Sequence, residues 1–366
     1  MNLPPDIKSG HLRAYFVFDV ADSILLTAIK SHEGKEFTQA QLKLADVPAP
    51  DYLQFAVAPL VAFLPDIEWL GEKGEVRVKL YDYGTVALRF SFPYSGTWSE
   101  FAFQSRKMRF ADELQTLARS KVTGIISALQ SSLIRPHKEL LEDYFIAEVR
   151  EFDGEMTAAR LLDDYRSALA ALVCVEEKPL SPLQEEEALK ECFSYCQSEL
   201  SVLTWDQAFV FDDSDGADTV DGIIEFANTQ LVELRTYDAR LDRHLDEIYK
   251  SKAERMRYNW LTGRRIAERQ AERLRHLLVD VRELSDRASN AIKIIGCAYY
   301  ARLYHGIAAR LSLRDWQHQV ETKLDSVGEI YRFANDQAEH ARSEFLEYII
   351  IFLIALELVV GLLGRH

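Results

Sequence analysis

The rhythm of hydrophobic and polar positions changes near residue 215. Before that point, short runs of β-branched and aromatic residues alternate with helical patterns and turn signals. LRAYFVFDV (12–20) predicts a first strand, and Asp22 or Ser23 caps an expected short helix reaching about His32. Two apolar runs, 75–81 and 85–92, flank Asp82-Tyr83-Gly84 and predict a β-hairpin. A helix is expected over 111–133, stopping before Pro136, and a strand over DYFIAEVREF (143–152). Helical patterns follow at 156–172 and after Ser181-Pro182, where proline suits the first helical position. Residues 200–211 end in a further strand, so the expectation for 1–215 is an α+β or α/β domain.

The acidic stretch FDDSDGADTVDG (211–222) invites a calcium-loop reading, which fails on position. With Gly216 as the turn glycine, the first and twelfth ligand places fall on Phe211 and Gly222, which carry no carboxylate. The expectation is a boundary loop, with Asp218 capping a helix and Asp221 in its first turn. After it, Ile224, Ala227, Leu231, Leu234, Asp238, Leu241, Leu245 and Ile248 recur every three or four residues. That is the spacing of a coiled-coil seam, with Leu231, Leu234, Leu241, Leu245 and Ile248 as its apolar members and Asp238 as an interruption. No proline follows Pro182, so residues 216–344 are expected to form long antiparallel helices turning near Gly263 and Gly296 or Gly306. Trp316, Val320, Leu324 and Val327 give the last of them an apolar stripe.

The run FLEYIIIFLIALELVVGLL (345–363) reads as a transmembrane anchor. Nineteen residues at about 1.5 Å each span roughly 28 Å, close to the thickness of a hydrocarbon core. The twelve Leu, Ile, Val and Phe residues from 349 to 363 favour insertion by roughly 5 kcal/mol, and Glu357 opposes it by about 3. Glu357, Gly361 and Gly364 follow i, i+4, i+7 spacing and share one helix face. Small residues permit close helix approach, and a carboxyl in lipid seeks a partner, so this face is expected to meet a second copy.

Net charge is −15, which argues against general nucleic-acid binding and against adhesion to anionic lipid through the whole surface. The exception is residues 252–275, with eight Lys or Arg against three Glu, a local +5. Arg264, Arg265, Arg269 and Arg273 there are candidates for an anionic partner, RNA or a headgroup, or for pairing with the protein's own acids. MNLPPDIKSGHLRAYF carries no charged segment followed by an apolar one, so neither secretion nor organelle import is expected. The four cysteines, Cys174, Cys192, Cys196 and Cys297, have no nearby histidine and read as reduced and structural. No phosphate loop, GxGxxG, HExxH or GxSxG occurs, so no catalytic residue, cofactor or metal is assigned.

Residues 313–363, with Leu324, Asp325, Leu346, Glu347, the Ile349–Ile351 run and Glu357, resemble the closing segment of the meiotic-nuclear-division/Sad1-interacting-factor family. VKLYDYGTVALRF and EDYFIAEV are similar to its strand motifs. The resemblance implies an α/β N-terminal region, a helical C-terminal region and a single C-terminal span, and it carries no catalytic residue. Three functions follow as expectations. The first is a tail-anchored, oligomeric membrane scaffold or tether with the bulk of the chain cytoplasmic and a protein partner. The second is a membrane-attached RNA- or ribosome-binding factor using the basic stretch. The third is an enzyme with an unrecognised site in the α/β domain.

Overall fold

Two long strands, β1 (Ile7–Ile24) and β6 (Leu133–Phe152), pair antiparallel and form the middle of a nine-stranded sheet. The computed structural model of the chain describes residues 2–31, 43–45, 57–212, 214–255, 279 and 298–329. On one side of the central pair lie β5 (Thr85–Gly96), β4 (Glu72–Leu80), β3 (Leu60–Trp69) and β2 (Lys43–Ala45). On the other lie β9 (Gln207–Phe211), β8 (Leu200–Leu203) and β7 (Cys192–Phe193). All neighbours are antiparallel except β6 and β9. The helices of this region are α1 (Leu26–Ser31), α2 (Trp98–Arg109), α3 (Asp112–Ala128), α4 (Ala158–Asp164), α5 (Arg166–Val173) and α6 (Pro182–Ala188). They are followed by α7 (Ser214–Arg255) and α8 (Ala298–Arg310), and residues 313–329 are also helical. A mixed α/β domain at the N-terminal end is therefore present.

Strand alternation sends two different chemistries to the two faces. Leu12, Ala14, Phe16 and Phe18 of β1, with Val76, Val78, Leu88, Phe90, Phe145 and Ala147, enter the apolar core. The buried faces of α2, α3 and α5 close that core, and Trp98 lies against Phe101, Phe152 and Phe209. The opposite face carries Arg13 and Tyr15 of β1, Arg77 and Lys79 of β4, Arg89 of β5 and Glu148 of β6.

The predicted hairpin is β4 and β5, turning at Gly84 with φ 94°. A Cβ there would run into the Ala21 carbonyl, so the turn and the end of β1 require glycine. Three expectations need correction. Asp22 caps no helix, because β1 continues to Ile24 by pairing with residues 133–136 of β6. The helix expected over 111–133 ends at Ala128, and Leu133 already belongs to β6. The sequence reading also passed over α2, whose start Thr97-x-x-Glu100 sets the Thr97 hydroxyl to accept from the Glu100 amide at 3.3 Å.

Internal contacts divide the chain into two units, Met1–Thr236 with Leu284–Trp316, and Tyr237–Glu283 with Gln317–His366. In the second, Leu241, Val320, Leu324 and Val327 are buried. Asp238, the polar break in the predicted seam, takes Lys323 at 2.6 Å and a hydrogen bond from Gln319 at 3.1 Å. Among the described residues no helix is long and apolar enough to cross a membrane; the expected anchor, 345–363, lies outside them.

Candidate functional site

The first candidate is the ionic layer between the polar sheet face and α7. Residues Val220 to Leu234 of α7 are buried throughout, so the helix is covered all round. Its sheet-facing stripe is Asp218, Asp221, Glu225, Thr229 and Val232, spaced by three and four. Asp221 pairs with Arg13, accepts from the Tyr15 hydroxyl at 2.5 Å and has Arg89 at 3.5 Å. Glu225 takes Arg77 at 2.9 Å, Lys79 at 3.2 Å and the Tyr81 hydroxyl at 2.6 Å. Arg13 also meets Glu148 at 2.7 Å and the exposed Asp218 at 3.2 Å, and Thr229 shares a hydrogen bond with Tyr83 at 2.9 Å. Val232 ends the stripe in a small apolar cluster with Val17, Tyr81, Tyr83 and Ala87.

Burying this many charges is costly. The Coulombic return roughly offsets the desolvation, so the layer adds little net stability relative to an apolar one. What it fixes is register. Sliding α7 by one turn would bring Thr229 to the place of Glu225 and leave Arg77 and Lys79 facing a hydroxyl. Burial alone would raise the Asp221 and Glu225 carboxyls; the surrounding cations, Arg13 and Arg89 for one and Lys79 and Arg77 for the other, hold both below their ordinary range. Glu148 is likewise depressed, with burial opposed by His11 and Arg13. Arg13 Nε, Arg89 Nε and Asp221 Oδ1 are buried without a hydrogen-bond partner among the described residues.

This layer overturns the reading of 211–222 as a boundary loop. The helix already begins at Ser214, so Asp218 and Asp221 sit inside it and face strands instead of capping its end. The available signal was the period-two spacing of Glu75, Arg77 and Lys79, which puts charge on one face of a strand otherwise rich in valine.

The second candidate is a cleft of about 690 Å³ formed where the end of α2, the α5–α6 segment, the β8–β9 turn and α8 meet. Arg109 Nε donates to Asp206 at 2.7 Å, and its guanidinium lies 5.7 Å from the Trp205 ring and 5.8 Å from that of Phe110. These two rings are 66% and 69% exposed. Across the cleft, Arg310 donates to the Glu187 carboxylate at 3.0 Å and to its carbonyl at 2.9 Å. Val175 forms part of the wall at φ 59°, a left-handed conformation unusual for a β-branched residue. The bonds from Glu176 N to Ala171 O and from Cys174 N to Ala170 O close the end of α5 around it. Burial raises the Cys174 thiol, so that lining group stays protonated at neutral pH.

Of the residues singled out from sequence, Leu231, Leu234 and Leu241 are buried and Leu245 is half-buried. Leu231 and Leu234 lie in the N-terminal unit and Leu241 in the second. The side chain of Ile248 lies outside the described residues, as do Arg264, Arg265, Arg269, Arg273, Glu357, Gly361 and Gly364. Cys174, Cys192 and Cys196 are free thiols, and Cys297 is outside the described residues. No group of three or more His, Cys, Asp or Glu is placed to hold a metal ion among the described residues.

Residues 9–218 match a family model described as uncharacterized protein MJ0711, N-terminal domain. The uncharacterized protein MJ0711 of Methanocaldococcus jannaschii is 26% identical over 177 residues, which is 48% of this chain and 53% of that protein. The chain thus spans about half the length of the curated relative it matches. No solved structure matches. The family match runs from β1 to the first turn of α7 and so contains the sheet, the cleft lining up to Asp206 and, of the acids α7 adds to the ionic layer, Asp218. By that match the chain belongs to the family of the MJ0711 N-terminal domain.

Proposed function

We propose that the protein is a membrane-attached, oligomeric scaffold or tether. The MJ0711-type domain is the presenting body, and α7 begins a helical arm. Residues 345–363 anchor that arm in a bilayer with the bulk of the chain on the cytoplasmic side. The observation that carries this reading is the apolar run itself, whose insertion is favoured by a few kcal/mol even with Glu357 included. The geometry of α7 supports it. Its 42 residues extend about 63 Å at 1.5 Å per residue, and its first half is held in the sheet by the ionic layer. The resemblance of the tail to the meiotic-nuclear-division/Sad1-interacting-factor family belongs to the same proposal, as does self-contact through Glu357, Gly361 and Gly364.

The test is fractionation. After lysis and ultracentrifugation the full chain is expected in the membrane pellet and to stay there through an alkaline carbonate wash. A chain cut after Glu344 is expected in the supernatant. A full-length protein found in the supernatant overturns the reading.

A further inference from the structure

We propose that the cleft beside Trp205 is a binding site for a small molecule that carries an oxyanion, carboxylate or phosphate, on a flat ring. Its volume of about 690 Å³ lies within the range of small-ligand sites. The argument rests on hydrogen-bond supply. Three acids line the cleft with the two arginines: Asp206 and Glu187 are each matched to an arginine already, and Glu176 is the third. The arginines are not used up in return. Among the described residues Arg109 donates only through Nε, which leaves both of its Nη groups without a protein acceptor. Arg310 Nε is buried and has no hydrogen-bond partner among the described residues. Among the described residues the Trp205 indole N–H also has no acceptor. The cleft therefore holds surplus donors, and charged guanidinium donors are best matched by carboxylate or phosphate oxygens.

The ring half of the ligand follows from the two aromatics. Phe110 and Trp205 are large apolar side chains left more than three-fifths exposed, each within 6 Å of the same guanidinium. Arg109 also lies 5.2 Å from the Phe145 ring, and its bond to Asp206 ties it down, so its position is set before a ligand arrives. A flat ring stacked on Trp205, with its anionic group on the Arg109 Nη atoms, would satisfy both features at once. Stacking on an aromatic side chain is worth about 1–3 kcal/mol, or roughly 5- to 150-fold in affinity. The site is independent of how the chain is attached to a membrane.

The experiment is a calorimetric titration of the full chain in detergent with four probes: adenosine 5′-monophosphate, indole-3-acetate, adenosine and inorganic phosphate. At least one of the two ring-bearing anions is expected to bind with Kd below about 1 mM and at least about tenfold more tightly than adenosine or phosphate alone. Which of the two binds more tightly distinguishes a phosphate from a carboxylate ligand. Trp205→Leu, at an exposed position that the fold does not need, is expected to weaken that binding about tenfold. Arg109→Gln is expected to abolish it, with the melting curve of each variant checking that the protein is folded. Failure of both ring-bearing anions to bind, or affinity unchanged in Trp205→Leu, overturns the proposal.

Discussion

Replacing Asp221 with alanine is expected to lower the unfolding free energy by about 3–5 kcal/mol, the cost of removing one partner from a buried ion pair. Asp221 is the acid against which Arg13 and Arg89 are set, and the Tyr15 hydroxyl donates to it. Without it, the buried Arg13 loses its main counter-charge and keeps only Glu148 and the solvent-exposed Asp218, while Arg89 keeps Glu75 at 2.7 Å. The melting midpoint should fall by about 10 °C, read by circular dichroism. Asp218→Ala is the internal control. Its carboxylate sits on the same helix face and touches the same arginine but is more than half exposed, so its loss should cost about 1 kcal/mol or less.

The same layer sets an unusual dependence on pH. Asp221, Glu225 and Glu148 have folded carboxyls below their ordinary range. Their contribution is present above the ordinary carboxylate pKa of about 4 and is lost as pH falls through the lower folded values. Glu142 works in the opposite sense. Burial outweighs its pairing with Arg235 and pushes its carboxyl up to about 7, and Asp143 beside it is also raised, chiefly by burial. A raised acid favours the folded state below its ordinary pKa and loses that advantage as pH rises to the folded value. Stability is therefore expected to rise as pH falls from 7 toward about 4.5 and to drop steeply below about 4. Denaturant midpoints across this range check the profile. Glu142→Gln should flatten its neutral limb and leave the acid limb in place.

What could be read from the sequence was local. The β4–β5 hairpin is legible because the turn at Asp82-Tyr83-Gly84 and both its strands lie within about twenty residues of one another. Strand β6 was recognised only over its apolar half, because residues 133–141 look polar and become a strand by pairing with β1. Helix α2 was hidden by its aromatic composition, which suits strands as well, although the capping box at Thr97 and Glu100 was available. The ionic layer was illegible for a different reason. Asp221 and Glu225 break the rule that buried helix faces are apolar, and their cations stand on strands 132 to 208 residues away. The cleft joins Arg109 to Asp206 across 97 residues and follows no motif.

Hydrogen exchange on the full chain, followed by mass spectrometry, measures directly whether the sheet holds α7. If the ionic layer locks the helix in register, amides from Val220 to Leu234 will exchange only with global unfolding, at the same rate as the middle of β1 and β6. If those amides instead open locally and exchange well before the two central strands, α7 is not fixed to the sheet, and the account of the ionic layer fails.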